Sequence, residues 1–315
     1  NTTGSYNIAM GNMALYSNVS GNSSVAIGYQ ALTNATVGEQ TAIGYQALAA
    51  ATTATGNTAV GYQALTAVTT GTSNTVMGYA AGDALISGSN NTAVGFEALT
   101  ASSSGSGHTA YGYQALSNQI SGSSGSLTSS SAFGYQALYT ATGGNANNAF
   151  GLRALYSNTT GASNNAFGNR ALMSVTIGAS NNAFGHMALQ NTSTGTGNIG
   201  IGYQTGGAIT TGSYNVVMGY GVGSGLSTGD SNILIGTSSA VTTPAAGTSN
   251  WLNIGNTVYG DTSTTQVAIG SGIAAMTTGV VFDLGSNTNA MRLPLGTTAQ
   301  RPTGAQGMLR YNTTT

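Results

Sequence analysis

A glycine preceded by a large apolar residue returns at Gly11, Gly28, Gly44, Gly61, Gly78, Gly95, Gly112, Gly134, Gly151, Gly168, Gly185, Gly202, Gly219 and Gly236. The steps are 17 residues long, except one of 16 before Gly44 and one of 22 before Gly134. Fourteen units at one period define a repeat architecture, in which the core grows along an axis and each unit contacts only its neighbours. Around the glycine a unit runs Asn, Thr or Asn, Ala, large apolar, Gly, Tyr, Gln, Ala, Leu, as in Asn57 to Leu65. A second glycine often lies seven residues earlier, as at Gly71, Gly88, Gly105, Gly161 and Gly178.

A unit of 17 residues is too short for a helical hairpin repeat, and no 3.6 period continues beyond Tyr-Gln-Ala-Leu. Val, Ile, Phe, Tyr and Thr crowd the motif while Gly, Asn and Ser punctuate it, which is a strand-and-turn signature. The expected unit is one coil of two or three short strands, and the expected fold class is all-β, a repeat β-solenoid of the parallel β-roll kind with 17-residue coils. Stacked coils place equivalent residues in columns about 4.8 Å apart, so fourteen make a shaft of roughly 65 Å.

Only 3% of the 315 residues are charged, with five arginines, six acids and no lysine, while 40% are hydrophobic. Disorder goes with low hydrophobicity or high net charge, and this chain has neither. A net charge of -1 argues against nucleic acid as a partner. Zero cysteines exclude disulfides and thiolate metal sites. No apolar run approaches the ~20 residues that span a bilayer, so no membrane insertion is expected in this segment. The start at Asn1 and the end in a threonine run read as an excerpt of a longer chain.

Each column must tolerate its own repetition. Tyr29, Tyr45, Tyr62, Tyr79, Phe96, Tyr113 and Tyr135 are expected to stack ring on ring. Asn57, Asn74 and Asn91, then Asn147, Asn164, Asn181, Asn198, Asn215 and Asn232, are expected to form an amide ladder. The glutamine column (Gln30, Gln46, Gln63, Gln114, Gln136, Gln204) also takes Glu97, Arg153 and Arg170. Two stacked arginines require screening water, so this column is placed at the surface. Strand alternation sends the alanines (Ala42, Ala59, Ala93, Ala110, Ala132, Ala149, Ala166, Ala183) inward and the large apolar column outward. That outer column runs Ile27, Ile43, Val60, Met77, Val94, Tyr111, Phe133, Phe150, Phe167, Phe184, Ile201, Met218. A thin coil cannot bury it together with the leucines (Leu32, Leu48, Leu65, Leu99, Leu116), so it is expected to face other chains around a three-fold axis. The opposing arrangement is one wider coil that buries everything.

Residues 1–236 are therefore read as the shaft. Residues 237–249, with Pro244, read as a linker, and 250–315 as a separate β-rich C-terminal module holding Arg292, Arg301 and Arg310. The five extra residues of the long step fall within Ser121 to Ser131, a Ser/Gly-rich loop expected to protrude.

No catalytic constellation is visible, and no cofactor or metal site is expected. His108 and His186 stand at ordinary Asn and Tyr positions, and Asp83, Asp230, Asp261 and Asp283 are scattered without paired-carboxylate or metal-loop spacing. Sequons at Asn18, Asn22, Asn34, Asn158 and Asn191 follow from a composition rich in Asn, Ser and Thr. Ligand-binding residues are not assigned. The tyrosine column suits either stacking within the shaft or stacking on sugar rings, and a receptor site is expected in the 121–131 loop or at a tip beyond this segment.

The repeats from about residue 1 to 236 resemble the head repeats of YadA-type trimeric autotransporter adhesins, whose characteristic unit is nearer 14 residues. That resemblance implies a left-handed parallel β-roll assembled as a homotrimer. The closing MRLPLGTTAQRPTGAQGMLRYNTTT (Met291 to Thr315) is similar to segments of bacteriophage tail-fibre proteins. Together they imply a structural fibre of a phage tail, not an enzyme: a rigid trimeric shaft presenting a host-recognition tip, located in the virion. The alternative is a bacterial cell-surface trimeric adhesin that binds matrix, a glycan or a protein receptor. A third reading, an ice- or polysaccharide-binding solenoid, would need flat threonine columns, and threonine is expected mostly at variable turn positions.

Overall fold

A computed structural model of the chain describes residues 3–119, 129–263 and 266–269, and the backbone of 282–283, 295–296 and 311–312. It is an all-β parallel solenoid. The described coils carry one three-residue strand each, from β1 (Ile8–Met10) through β4 (Thr58–Val60), β5 (Thr75–Met77) and β9 (Asn148–Phe150) to β14 (Ile233–Ile235). Successive strands pair in parallel with unbroken register, so Thr58, Ala59 and Val60 lie beside Thr75, Val76 and Met77. The long step leaves this register intact, since Ala110 pairs with Ala132.

The expected two or three strands per coil are not formed. The motif glycine ends the strand at a φ near +139° in Gly44 and Gly61, and left-handed residues then turn the chain. Gln63 (φ 53°) and Leu65 (φ 51°) are typical, and the same two positions repeat along the stack at Gln46 and Leu48, and at Arg153 and Leu155. Left-handed backbone costs an L-residue of this kind about 1–2 kcal/mol. It persists because the corner is tied to both neighbours: Gln63 N–H donates to Tyr45 C=O (2.8 Å) and Leu65 N–H to Ala81 C=O (3.0 Å). Backbone ladders thus run through corners as well as strands, which satisfies polar groups that a turn would otherwise leave unpaired.

The core is a file of small and branched side chains. The alanine and leucine columns are fully buried, as expected. So are two columns that strand alternation did not place. One is the alanine before each leucine (Ala47, Ala64, Ala98, Ala115), and the other lies three residues after the leucine (Ala51, Val68, Leu85, Val175, Ile209, Leu226). The last compensates for the leucine column. Coils with glycine in place of leucine, at Gly82, Gly206 and Gly223, carry Leu85, Ile209 and Leu226. A side chain added at Gly206 would meet Leu189 and Ile209. Core volume per coil is conserved by exchange between two columns, as close packing requires.

The large apolar column stays outside, with Ile43, Met77, Tyr111, Phe167, Phe184 and Ile201 all exposed on the single chain. The wider coil that buries everything is therefore not what forms. Most described threonines lie outside strands, as expected, but five of them form a column. Thr41, Thr58, Thr75, Thr92 and Thr109 are strand residues in direct register, not turn residues, and Asn148, Asn165 and Asn182 continue their column.

Winding does not stop at Gly236, and the 237–249 segment is not a detached linker. Val241 joins the core at 2% exposure, its carbonyl accepts from Gly223 N–H (2.9 Å), and Ala246 C=O accepts from Ser227 N–H (2.8 Å). This path continues into β15 (Trp251–Ile254), which pairs in parallel with β14. Only then does the topology change. β16 (Val258–Asp261) and β17 (Gln266–Ile269) add antiparallel strands, and β18 (Phe282–Asp283) pairs with β17 in parallel. β19 (Leu295–Gly296) and β20 (Tyr311–Asn312) form a separate parallel pair. The proposed protruding loop lies outside the described residues from 120 to 128, whereas Ser130 and Ser131 already belong to the regular coil.

Candidate functional site

The asparagine rungs are buried and bonded to their neighbours. Asn74 Oδ1 accepts from both the backbone N–H and the side-chain amide of Asn91 (3.0 Å each), and Asn74 Nδ2 donates to Gly88 C=O (2.9 Å). One side chain therefore serves the next rung and the second glycine column. In that column a Cβ at Gly71 would sit inside contact distance of Gly88 C=O, so glycine is required there. The only unpartnered buried polar side-chain atoms among the described rungs of the asparagine column are Gln40 Nε2 and His108 Nε2.

His108 occupies one rung of it. Its backbone N–H donates to Asn91 Oδ1 (2.9 Å), and its Nδ1 accepts from Ser130 N–H (3.2 Å). Burial holds the imidazole below its ordinary pKa, which keeps the ring neutral and able to accept. His186 stands in the tyrosine column with its ring 5.1 Å from that of Tyr203. Neither histidine meets a carboxylate. Among the described residues no group of three or more His, Cys, Asp or Glu is placed to hold a metal ion.

The acids have structural neighbours. Asp230 accepts from Ser213 N–H (2.7 Å), and Asp261 accepts from Ser263 N–H (2.9 Å). Burial pushes the Asp83 carboxyl up, and Asp283 lies in β18. Of the sequons, Asn18 and Asn158 are core residues bonded to Gly21 and Gly161, so they are closed to modification in the fold, while Asn22, Asn34 and Asn191 are exposed.

Three outward columns remain. The tyrosine rings stack from Tyr29 to Tyr135 with centroids 5.0 to 5.3 Å apart. The glutamines form a second amide ladder that the sequence reading placed at the surface but did not join. Gln46 Nε2 donates to Gln30 Oε1 (2.8 Å), Gln63 to Gln46 (3.0 Å), Gln114 to Glu97 (2.8 Å) and Gln136 to Gln114 (3.0 Å). Arg153 continues it through Gln136 Oε1 (3.2 Å) and lies over the Tyr156 ring. The third column is the apolar one, whose aromatic part stacks from Phe133 through Phe150 and Phe167 to Phe184 at 4.7 to 5.1 Å.

A groove of about 430 Å³ opens beside the tyrosine and glutamine columns near the end of both. Its walls include Gln190, Asn191, Gln204, Tyr220, Gly221 and Ser239. The sequence hides it because it arises from a substitution, Gly221 where the column would place glutamine.

These features define a parallel β-solenoid whose outward face carries three columns and, at the end of two of them, a groove. No protein-family model, curated protein or solved structure matches the chain. Among the described residues no helix is long and apolar enough to cross a membrane.

Proposed function

We propose that this chain is the shaft of a phage tail fibre, in which three copies pack their large apolar columns around a common axis. The observation that carries this reading is the unbroken outer stripe from Ile27 to Ile254, in which the members Ile43, Met77, Tyr111, Phe167, Phe184, Ile201 and Ile254 are exposed on the single chain. A contiguous apolar surface of this length marks an association site, and a repeated column is self-complementary under rotation. Stiffness follows from backbone ladders that continue through the corners and from like side chains touching like. A scarcity of charge removes repulsion between rungs.

Mass measurement in solution tests the assembly. A species near three times 31.1 kDa is expected, and Phe167→Asp is expected to convert it to monomer; a monomeric parent protein would refute the trimer. Gold-labelled antibody against the shaft tests the setting. Decoration of phage tails supports the fibre, whereas decoration of a bacterial surface supports the adhesin.

A further inference from the structure

Two columns end in the same place, and each ends with an unspent face. The last ring of the tyrosine column is Tyr220, stacked on Tyr203 at 5.0 Å on one side. No described ring covers its other side, since Thr237 and Ser238 follow the next glycine. Tyr220 is accordingly 62% exposed, against 41% for Tyr203. The last amide of the glutamine column is Gln204, whose Nε2 lies 3.6 Å from Met187 Sδ. Within the column Gln30, Gln46 and Gln114 Oε1 each accept from the amide of the next rung, whereas Gln63 is followed by Ala80. The next rung after Gln204 is Gly221, which has no side chain to donate. Asn191 adds another open amide oxygen, its Nδ2 being held by Gly207 C=O (2.6 Å). These groups converge on the 430 Å³ groove, which has no charged residue in its lining.

We infer that this groove is a binding subsite for a neutral pyranose within an oligosaccharide. A flat ring with one free face matches the C–H face of a sugar, and amide oxygens at its edge match sugar hydroxyls. The volume lies within the ~300–1,000 Å³ typical of small-molecule sites. A neutral lining disfavours sialylated or sulfated sugars, because desolvating a charge without a partner is costly. Gly221 is the specificity device. At φ +61° it shares the left-handed backbone of the column's glutamines; a Cβ there would meet Ser239 Cβ at 3.2 Å, so a glutamine requires a small shift of Ser239, and its absence keeps the groove open.

The inference deepens the reading of the chain as a surface-attachment fibre and rests on it only for the source of the sugar. The test is saturation-transfer NMR and calorimetry on the intact protein with maltohexaose, cellohexaose, a β-galactan hexamer and chitohexaose, alongside 3′-sialyllactose and heparin hexasaccharide. At least one neutral oligomer is expected to bind at millimolar strength or better, with saturation transferred to ring C–H protons. Tyr220→Ala and, independently, Gly221→Gln are expected to weaken it tenfold or more, while Tyr62→Ala, a mid-column ring, leaves it unchanged. Circular dichroism and thermal melting confirm that each variant is folded. Silence from every neutral oligomer, preference for the charged ones, or equal loss from Tyr62→Ala would overturn the subsite. None of these results bears on mass or particle labelling, so the fibre reading fails or stands separately.

Discussion

Coils from Gly28 to Gly134 stack their aromatic rings just after the glycine, from Tyr29 to Tyr135, with Ile, Val or Met before it in all but the last two. Coils from Gly134 to Gly185 stack them just before it, from Phe133 to Phe184, while Leu152, Asn169 and His186 take over the tyrosine position. Two coils, with Tyr111 and Tyr113 and then Phe133 and Tyr135, carry both. The inner columns do not change across this exchange: Ala59 and Leu65 in one half are matched by Ala149 and Leu155 in the other, all fully buried. The backbone geometry is equally constant. Outer positions answer to likeness between neighbouring rungs, and inner positions answer to volume.

The largest effect should ignore the difference between the halves. Gly61→Ala and Gly168→Ala each put a Cβ against the carbonyl of the next glycine at a φ of +139° or +148°. Both are expected to destabilise by about 3 kcal/mol, a combined cost of strain and clash, read as a fall in denaturant midpoint. Tolerance of either would break the claim that the two halves share one backbone.

Asn74→Ala comes next. It strands Gly88 C=O and the Asn91 N–H in a buried position, at about 1–3 kcal/mol. Asn164→Ala, in the other half, is expected to match it within measurement error.

Stacked surface rings should then separate the halves. Tyr62→Ala and Phe150→Ala are each expected to cost about 1 kcal/mol of stability. Only Phe150→Ala should also shift association to higher protein concentration, because its column is the proposed contact. Equal effects on association would place the tyrosines in the interface as well.

The smallest effect is a pH dependence confined to the junction. The His108 imidazole is pushed down by burial, so the unfolded chain takes up a proton near pH 6.5 before the folded one does. Stability is unaffected above that value and declines as pH falls below it, levelling once the folded ring protonates. Melting curves between pH 7.5 and 5 should show the decline in the parent protein and not in His108→Asn.

Most of the columns were legible because a fixed period turns one-dimensional spacing into three-dimensional contact. The buried amide ladder of Asn74 and the inward path of Ala59 follow from self-compatibility and strand alternation alone. The corners were not legible, since nothing in the preferences of Leu65 or Gln63 favours left-handed backbone; the neighbouring coils impose it. The extra turn through Val241 was hidden by inserted residues that break the period, while the hydrogen bond from Gly223 restores the path. The exchange of Leu48 with Ala51 against Gly82 with Leu85 becomes readable only when both columns are known to point inward. The groove was hidden because it is defined by what Gly221 and the residues after Gly236 lack.

Because inter-rung hydrogen bonds such as Gly61 N–H to Ile43 C=O point from coil to coil, a pull along the shaft loads them end-on and in sequence. Such a rod yields by unreeling. Each released rung of 17 residues lengthens the tether by roughly 50 Å, given ~3.3–3.6 Å per extended residue less the rung's own height, so single-molecule traces should show a regular sawtooth from a single chain. Three chains locked side by side would have to give way together, turning many gentle teeth into fewer, higher ones.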